Sequence, residues 1–284
     1  MPRLHPFPRP GEDEGMDTTS SANDQLPVAP GWFSLTWVTA RTAVITEPHM
    51  DDLLRAGLWY LRGRDRDLLV DTGNGIGALA PYVARLARGG RRREIVCVCT
   101  HAHIDHIGGF HEFDRSLLHP AEQDLAGRVR DGAPLAPAMW SEALLAQLAQ
   151  SGFQPPPILV DAVPYPGFDP YTFRPERAAP THLVRGGDEI DLGDRRLTIV
   201  DLPGHTAGSI GLIDHEERAL LSGDAVYDGG LIDTLPESDP EAYLRTMDLL
   251  RRVDVDVVYP GHGWPFDRAG LREIAEGYLR ERGG

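Results

Sequence analysis

Lysine is absent from this chain. All 28 basic residues are arginine, set against 43 acids, for a formal net charge of −15. An acidic surface repels phosphate backbones, so nucleic acid is not expected as a partner. Cysteine is nearly absent too. Only Cys97 and Cys99 occur, both on one predicted buried strand and poorly placed to bridge each other. A disulfide framework is thereby ruled out, and a reducing compartment fits. No apolar run approaches the length needed to cross a bilayer. The first thirty residues, rich in Pro, Asp, Glu, Ser and Thr, hold no apolar segment of an export signal. The expectation is a cytoplasmic protein with no membrane partner. What is present is enough for packing: 284 residues, 41% of them hydrophobic, suit one large domain or two small ones.

Residues 1–30 read as a disordered tail and 31–284 as a catalytic domain. Short strands are expected over 33–38, 43–46, 58–61 and 67–70. A helix is expected over 77–88, a buried strand over 95–99 and a short helix over 108–113. The stretch 120–185 differs in character. Leu144, Leu145 and Leu148 suggest a helix; then come three prolines after Gln154, and Tyr165, Phe168, Tyr171 and Phe173 among more prolines. It is too long and irregular for a plain connection. It reads as a helical and irregular insert, a lid or substrate wall, or as a satellite cluster that seals the domain. Strands are expected again over 189–192, 197–201, 209–213, 219–222 and 255–259. A helix is expected over 239–253, with Asp239 as N-cap and Pro240 in its first position, and a closing helix over 271–279.

The chemistry is concentrated in His101-Ala102-His103-Ile104-Asp105-His106, which follows the 95–99 strand. Imidazole and carboxylate together suit zinc, manganese or iron. The spacing is too tight for one ion to use all four side chains, which suggests two adjacent ions. Four further candidates stand at strand ends: Asp71 before Thr72-Gly73, His205 after Pro203-Gly204, Asp224 after Ser222-Gly223, and His262 after Pro260-Gly261. A glycine at such a point lets the backbone turn sharply and offer a side chain into a cleft. His5, His49, His111, His119, His182 and His215 fall outside these motifs and are expected to be structural or exposed.

Asp71, the His101–His106 motif, His205, Asp224 and His262, in that order, resemble the motif series of the metallo-β-lactamase (MBL) superfamily. The resemblance implies an α/β fold, a four-layer αβ/βα sandwich. It implies that His101, His103 and His205 hold one metal, that Asp105, His106 and His262 hold a second, and that Asp224 bridges them. Asp71 would steady the ligand loops through hydrogen bonds. Two divalent ions are implied, zinc first, with iron or manganese as alternatives. They would generate a hydroxide that attacks the carbonyl of a small thioester, ester or lactone, with Asp105 passing the proton. Tyr227 lies three residues after Asp224, where lactone-cleaving members use a tyrosine to hold the carbonyl; its other reading is a tyrosine packed under the lid. The nearest branch is the acyl-CoA thioesterase-like one, through Trp59–Gly63, Asp191–Arg195 and above all Val226–Pro236, with unassigned arginines at the mouth for coenzyme A phosphates. Two alternatives stay open: a lactonase of the acyl-homoserine lactone type, and a dioxygenase of persulfide sulfur with a single iron on His101, His205 and Asp224. A homodimer through exposed edges of the insert is also left open.

Overall fold

A computed structural model describes residues 26–87, 93–129, 135–150 and 152–283 of the protein. Seven strands form one sheet in chain order: β1 (Ser34–Trp37), β2 (Thr42–Thr46), β3 (Leu58–Leu61), β4 (Asp67–Val70), β5 (Ile95–Val98), β6 (Ser116–Leu118) and β7 (His182–Leu183). Pairing is antiparallel from β1 to β4 and parallel from β4 to β7. Strands β2 to β4 are buried along their whole length. Burial on both faces is why they read as nearly continuous apolar runs and not as alternations.

The second sheet holds six strands: β8 (Glu189–Asp191), β9 (Arg196–Asp201), β10 (Ile210–Asp214), β11 (Ala219–Gly223), β12 (Val257–Pro260) and β13 (Phe266–Asp267). All its pairs are antiparallel except β11 with β12. Between the sheets lies one apolar layer, with Trp59, Leu61, Val70 and Val98 facing Ile199, Leu212, Leu221 and Tyr259. Helices α1 (Leu79–Ala84), α2 (Ile104–Ile107) and α3 (Gln123–Arg128) lie on the outer face of the first sheet, where Leu79, Val83, Ile107 and Ala126 meet Leu69 and Cys97. Helices α5 (Pro240–Leu250) and α6 (Arg268–Arg282) cover the second sheet, burying Tyr243, Met247, Leu271 and Ala275 against Leu220 and Val258. The result is the four-layer αβ/βα sandwich that the motif series implied.

Several local expectations change. The helix expected over 77–88 is helical only from Leu79 to Ala84, and residues 88–92 lie outside those described. The helix expected over 108–113 is only a 3-10 turn over Phe110–Glu112, and an unexpected short helix, α2, carries the end of the histidine motif. Asp105 and His106 therefore sit on a helical turn and not on a loop. Strands β6 and β7 were not expected; they are three and two residues long, too short to show a period. The final helix begins earlier than residue 271 because Asp267 caps it, accepting from the Gly270 amide at 2.9 Å.

Of the tail expected over 1–30, residues 1–25 lie outside those described. Val28 bridges Val163, and the Ala29 amide donates to the Val163 carbonyl at 2.8 Å. The ends of the 120–185 stretch belong to the sandwich and not to an insert, α3 in its outer layer and β7 in its first sheet; the part between them divides in two. Phe168 and Phe173 pack against Trp32, Met50, Leu135 and Leu159 in a separate apolar cluster, whereas Tyr165 and Tyr171 are exposed. Helix α4 (Glu142–Gln150) and Phe153 instead line a cavity above the strand ends. Among the described residues no helix is long and apolar enough to cross a membrane.

Candidate metal centre

The predicted ligands all stand beyond the ends of β4, β5, β9, β11 and β12, at one rim of the sandwich. The fold brings together all seven, although they are spread from position 101 to 262. They form three overlapping sets, His101/His103/His205, His101/His106/Asp224 and Asp105/His106/His262, with the ligand atoms of each set within 4.8 Å of one another. Asp224 sits between the outer sets. Its Oδ1 is 3.3 Å from His106 Nε2, and its Oδ2 is 3.4 Å from His262 Nε2 and 3.7 Å from His205 Nε2. Asp105 Oδ2 is 3.1 Å from His262 Nε2.

The hydrogen bonds behind the ligands fix which ring nitrogen faces inward. A carboxylate or carbonyl can only accept, so its imidazole partner must donate. His103 Nε2 donates to Glu237 Oε1 at 2.7 Å, and His205 Nδ1 to the Ile232 carbonyl at 2.9 Å. His106 Nδ1 donates to Asp71 Oδ2 at 2.8 Å. The Thr100 hydroxyl donates to Asp71 at 2.9 Å, leaving its oxygen to accept from His101 Nδ1 at 3.1 Å. With those protons committed, the inward nitrogens of His101 and His205 each lie 3.0 Å from His103 Nδ1. Three lone pairs converging at that distance repel one another unless a cation lies between them. The second half of the site shows the same need. His106 Nε2 and Asp224 Oδ1 are buried with no hydrogen-bond partner among the described residues, and a Cβ on Gly261 would come within 2.2 Å of Asp224 Oδ1. Unsatisfied buried polar atoms are costly. A donor set of imidazole and carboxylate that is short of positive charge therefore fits divalent cations.

Electrostatics divide the site in the same way. Burial, reinforced by neighbouring imidazoles, pushes His205 down to about 4 and His101 well below its usual range. Burial also opposes charge on His106 and His262, but Asp224 and Asp105 outweigh it, holding His106 well up and His262 at about 9. Burial would likewise raise Asp105 and Asp224, yet His106 and His262 hold both carboxyls well below the usual range. Among the described residues both carboxylates pair with histidines: Asp105 with His106 and His262, and Asp224 with His106, His205 and His262.

Asp71 adopts a left-handed backbone (φ 66°), which Asp tolerates better than most residues. From there it accepts from the Thr100 amide at 2.7 Å as well as from Thr100 Oγ1 and His106. It touches no other predicted ligand and braces the motif from behind. Tyr227 is buried and lines the cavity, and its hydroxyl donates to the Gly230 carbonyl at 2.8 Å. Of the histidines outside the motifs, those described stay outside the cluster; His49 pairs with Asp161 and His215 with Thr198.

Two site residues escaped the sequence reading. Glu237 holds His103. Glu122, fully buried, accepts from the Ala102 amide at 2.8 Å on one oxygen and from Thr206 Oγ1 at 2.8 Å and the Gly208 amide at 2.7 Å on the other. It thereby ties the His101–His106 segment to the His205 loop. No local pattern marks either glutamate.

Residues 55–262 match the family model described as the metallo-beta-lactamase superfamily. The chain is 36% identical over 241 residues to the human acyl-coenzyme A thioesterase MBLAC2, covering 81% of this chain and 80% of that protein. The chicken protein of the same name is 34% identical over 261 residues, covering 89% and 88%. The hydroxyacylglutathione hydrolase GloC of Haemophilus influenzae is 27% identical over 171 residues, covering 59% of this chain and 68% of that one. Among solved structures, DIM-1 metallo-beta-lactamase superposes with a TM-score of 0.57 at 15% identity, covering 89% of this chain and 99% of that one.

Proposed function

From a chain that belongs to the metallo-beta-lactamase superfamily, we propose a dinuclear metal-dependent hydrolase that cleaves thioesters of the acyl-coenzyme A type. The observation that carries this reading is the likeness to MBLAC2 across four-fifths of both chains, combined with a ligand cluster that opens into an apolar cavity. His101, His103 and His205 would hold one ion, Asp105, His106 and His262 the other, and Asp224 would reach both. Nitrogen and oxygen donors suit zinc first, and iron or manganese as well. Two such ions would supply a water that ionises near neutral pH and a Lewis acid for the carbonyl oxygen.

The chain's own groups do the rest. Asp105 would take the proton of the attacking water. The leaving thiolate needs no strong acid, which suits a cavity floor where Asp105 and Asp224 are carboxylates. Tyr227 would orient the carbonyl by exchanging its bond to Gly230 for one to the substrate. The wall formed by Trp140, α4 and Phe153 would keep bulk water from the thioester.

A metal count followed by a thioester, lactone and persulfide panel on one preparation tests this. The expected result is two ions per chain and fastest turnover of the thioester. A lactone preferred by an order of magnitude, or a single iron with oxygen uptake on a persulfide, would overturn it.

A further inference from the structure

The cavity above the cluster has a volume of about 430 Å³, within the range of small-molecule sites. Its floor is polar: His103, Asp105, His205, Asp224 and His262. Most of the rest of its lining is hydrocarbon. Leu53 and Leu54 come from a 3-10 turn capped by Asp51; Leu144 and Leu148 come from α4, one turn apart. Both elements are pinned. The Leu53 amide donates to Asp51 Oδ1 at 3.1 Å, and Gln147 Nε2 donates to the Thr234 carbonyl at 2.9 Å.

No arginine is among the described residues that line the cavity. Away from the floor the charged lining residues are Asp52 and Glu237, and each already has a partner, Arg55 at 2.7 Å and His103 at 2.7 Å. A nucleotide with several phosphates would meet acid here in a chain of net charge −15. An alkyl chain would meet matching apolar walls.

Resting on the thioesterase reading, we infer that this cavity selects its substrate by the acyl chain and not by the thiol half, and that Leu144 on α4 and Leu53 on the 3-10 turn set the length limit. The nucleotide of a coenzyme A thioester lies outside the cavity and adds little to recognition. Each methylene that enters strengthens binding about fourfold, until the chain meets the pinned walls and the series breaks.

Calorimetric binding of straight-chain carboxylates, from butanoate to dodecanoate, to the metal-loaded protein tests the assignment without turnover. Affinity should rise about fourfold per methylene and then level off. Leu144→Trp and, independently, Leu53→Trp should each move that break to shorter chains. A flat series, or a break that neither folded variant moves, overturns the inference. Kinetics supply the second arm. At one acyl length, kcat/KM for the coenzyme A thioester should stay within about fivefold of that for the N-acetylcysteamine thioester, whereas a hundredfold advantage for coenzyme A overturns it. The two readings fail separately. A rising carboxylate series without thioester turnover sinks the proposed activity and keeps the cavity assignment. Thioester turnover with a flat series does the reverse.

Discussion

At the scale of single residues, the ligands were legible and their supports were not. His101, His103, Asp105 and His106 announce themselves by density, and Asp71, His205, Asp224 and His262 by the turns that carry them. Glu122 and Glu237 carry no such mark, because their partners are distant in sequence. Glu122 serves Ala102, 20 residues away, and Gly208, 86 away, and Glu237 serves His103 across 134 positions. Glu122 is the sharper test. Both its oxygens accept, and two of its three donors are backbone amides. In Glu122→Gln the new NH₂ must face at least one donor, leaving a buried amide unsatisfied at a cost of about 1–3 kcal/mol. Because that amide belongs to a ligand loop, metal retention should weaken together with stability. Urea denaturation and chelator competition on the same variant check both. Lost stability with unchanged metal affinity would make Glu122 a fold residue only.

At the scale of elements, strong periodicity and good caps were readable. Helix α5 begins at Pro240 after Asp239, which accepts from the Glu241 and Ala242 amides at 3.0 Å, as its sequence required. What could not be read is how far one element governs another. The 228–238 loop supplies Glu237 to His103 and the Ile232 carbonyl to His205. That loop is moored to α6 by buried Asp233, which accepts from the Tyr278 hydroxyl at 2.8 Å and from Arg282 at 2.8 Å. The closing helix therefore aims two histidines it never touches. Tyr278→Phe removes one donor to a buried carboxylate, a loss of about 1.5–3 kcal/mol. It should also weaken the His101/His103/His205 ion several-fold more than the other. Stepwise metal release with a graded chelator series distinguishes the two ions, and equal weakening of both would sever the proposed link from α6.

At the scale of the whole molecule, strands could be placed along the chain, but their division between two sheets came from the motif resemblance, because periodicity does not state which strand pairs with which. The same holds for what joins the sheets at the end opposite the metal centre. There Arg195, just before β9, is fully buried against Asp214 at the end of β10; its Nε donates to Asp214 at 2.6 Å. The same guanidinium donates to Thr42 Oγ1 on β2 at 2.8 Å and lies 3.1 Å from Glu217. It thus bonds the first sheet to the second, from a segment that the sequence offered only as a family likeness. Removing one partner of a buried ion pair strands the other, at about 3–5 kcal/mol, whereas replacing both by apolar groups of similar size is often neutral. Arg195→Ala should therefore lower unfolding free energy by about that amount while the folded fraction keeps its metal content, since the ligands stand at the other end of the strands. Arg195→Met combined with Asp214→Leu should recover most of the loss. Denaturant titration with metal analysis of the native fraction decides the matter. If Arg195→Ala shed its ions at unchanged stability, the two ends of the sandwich would be coupled through the strands, and this pair would belong to the site after all.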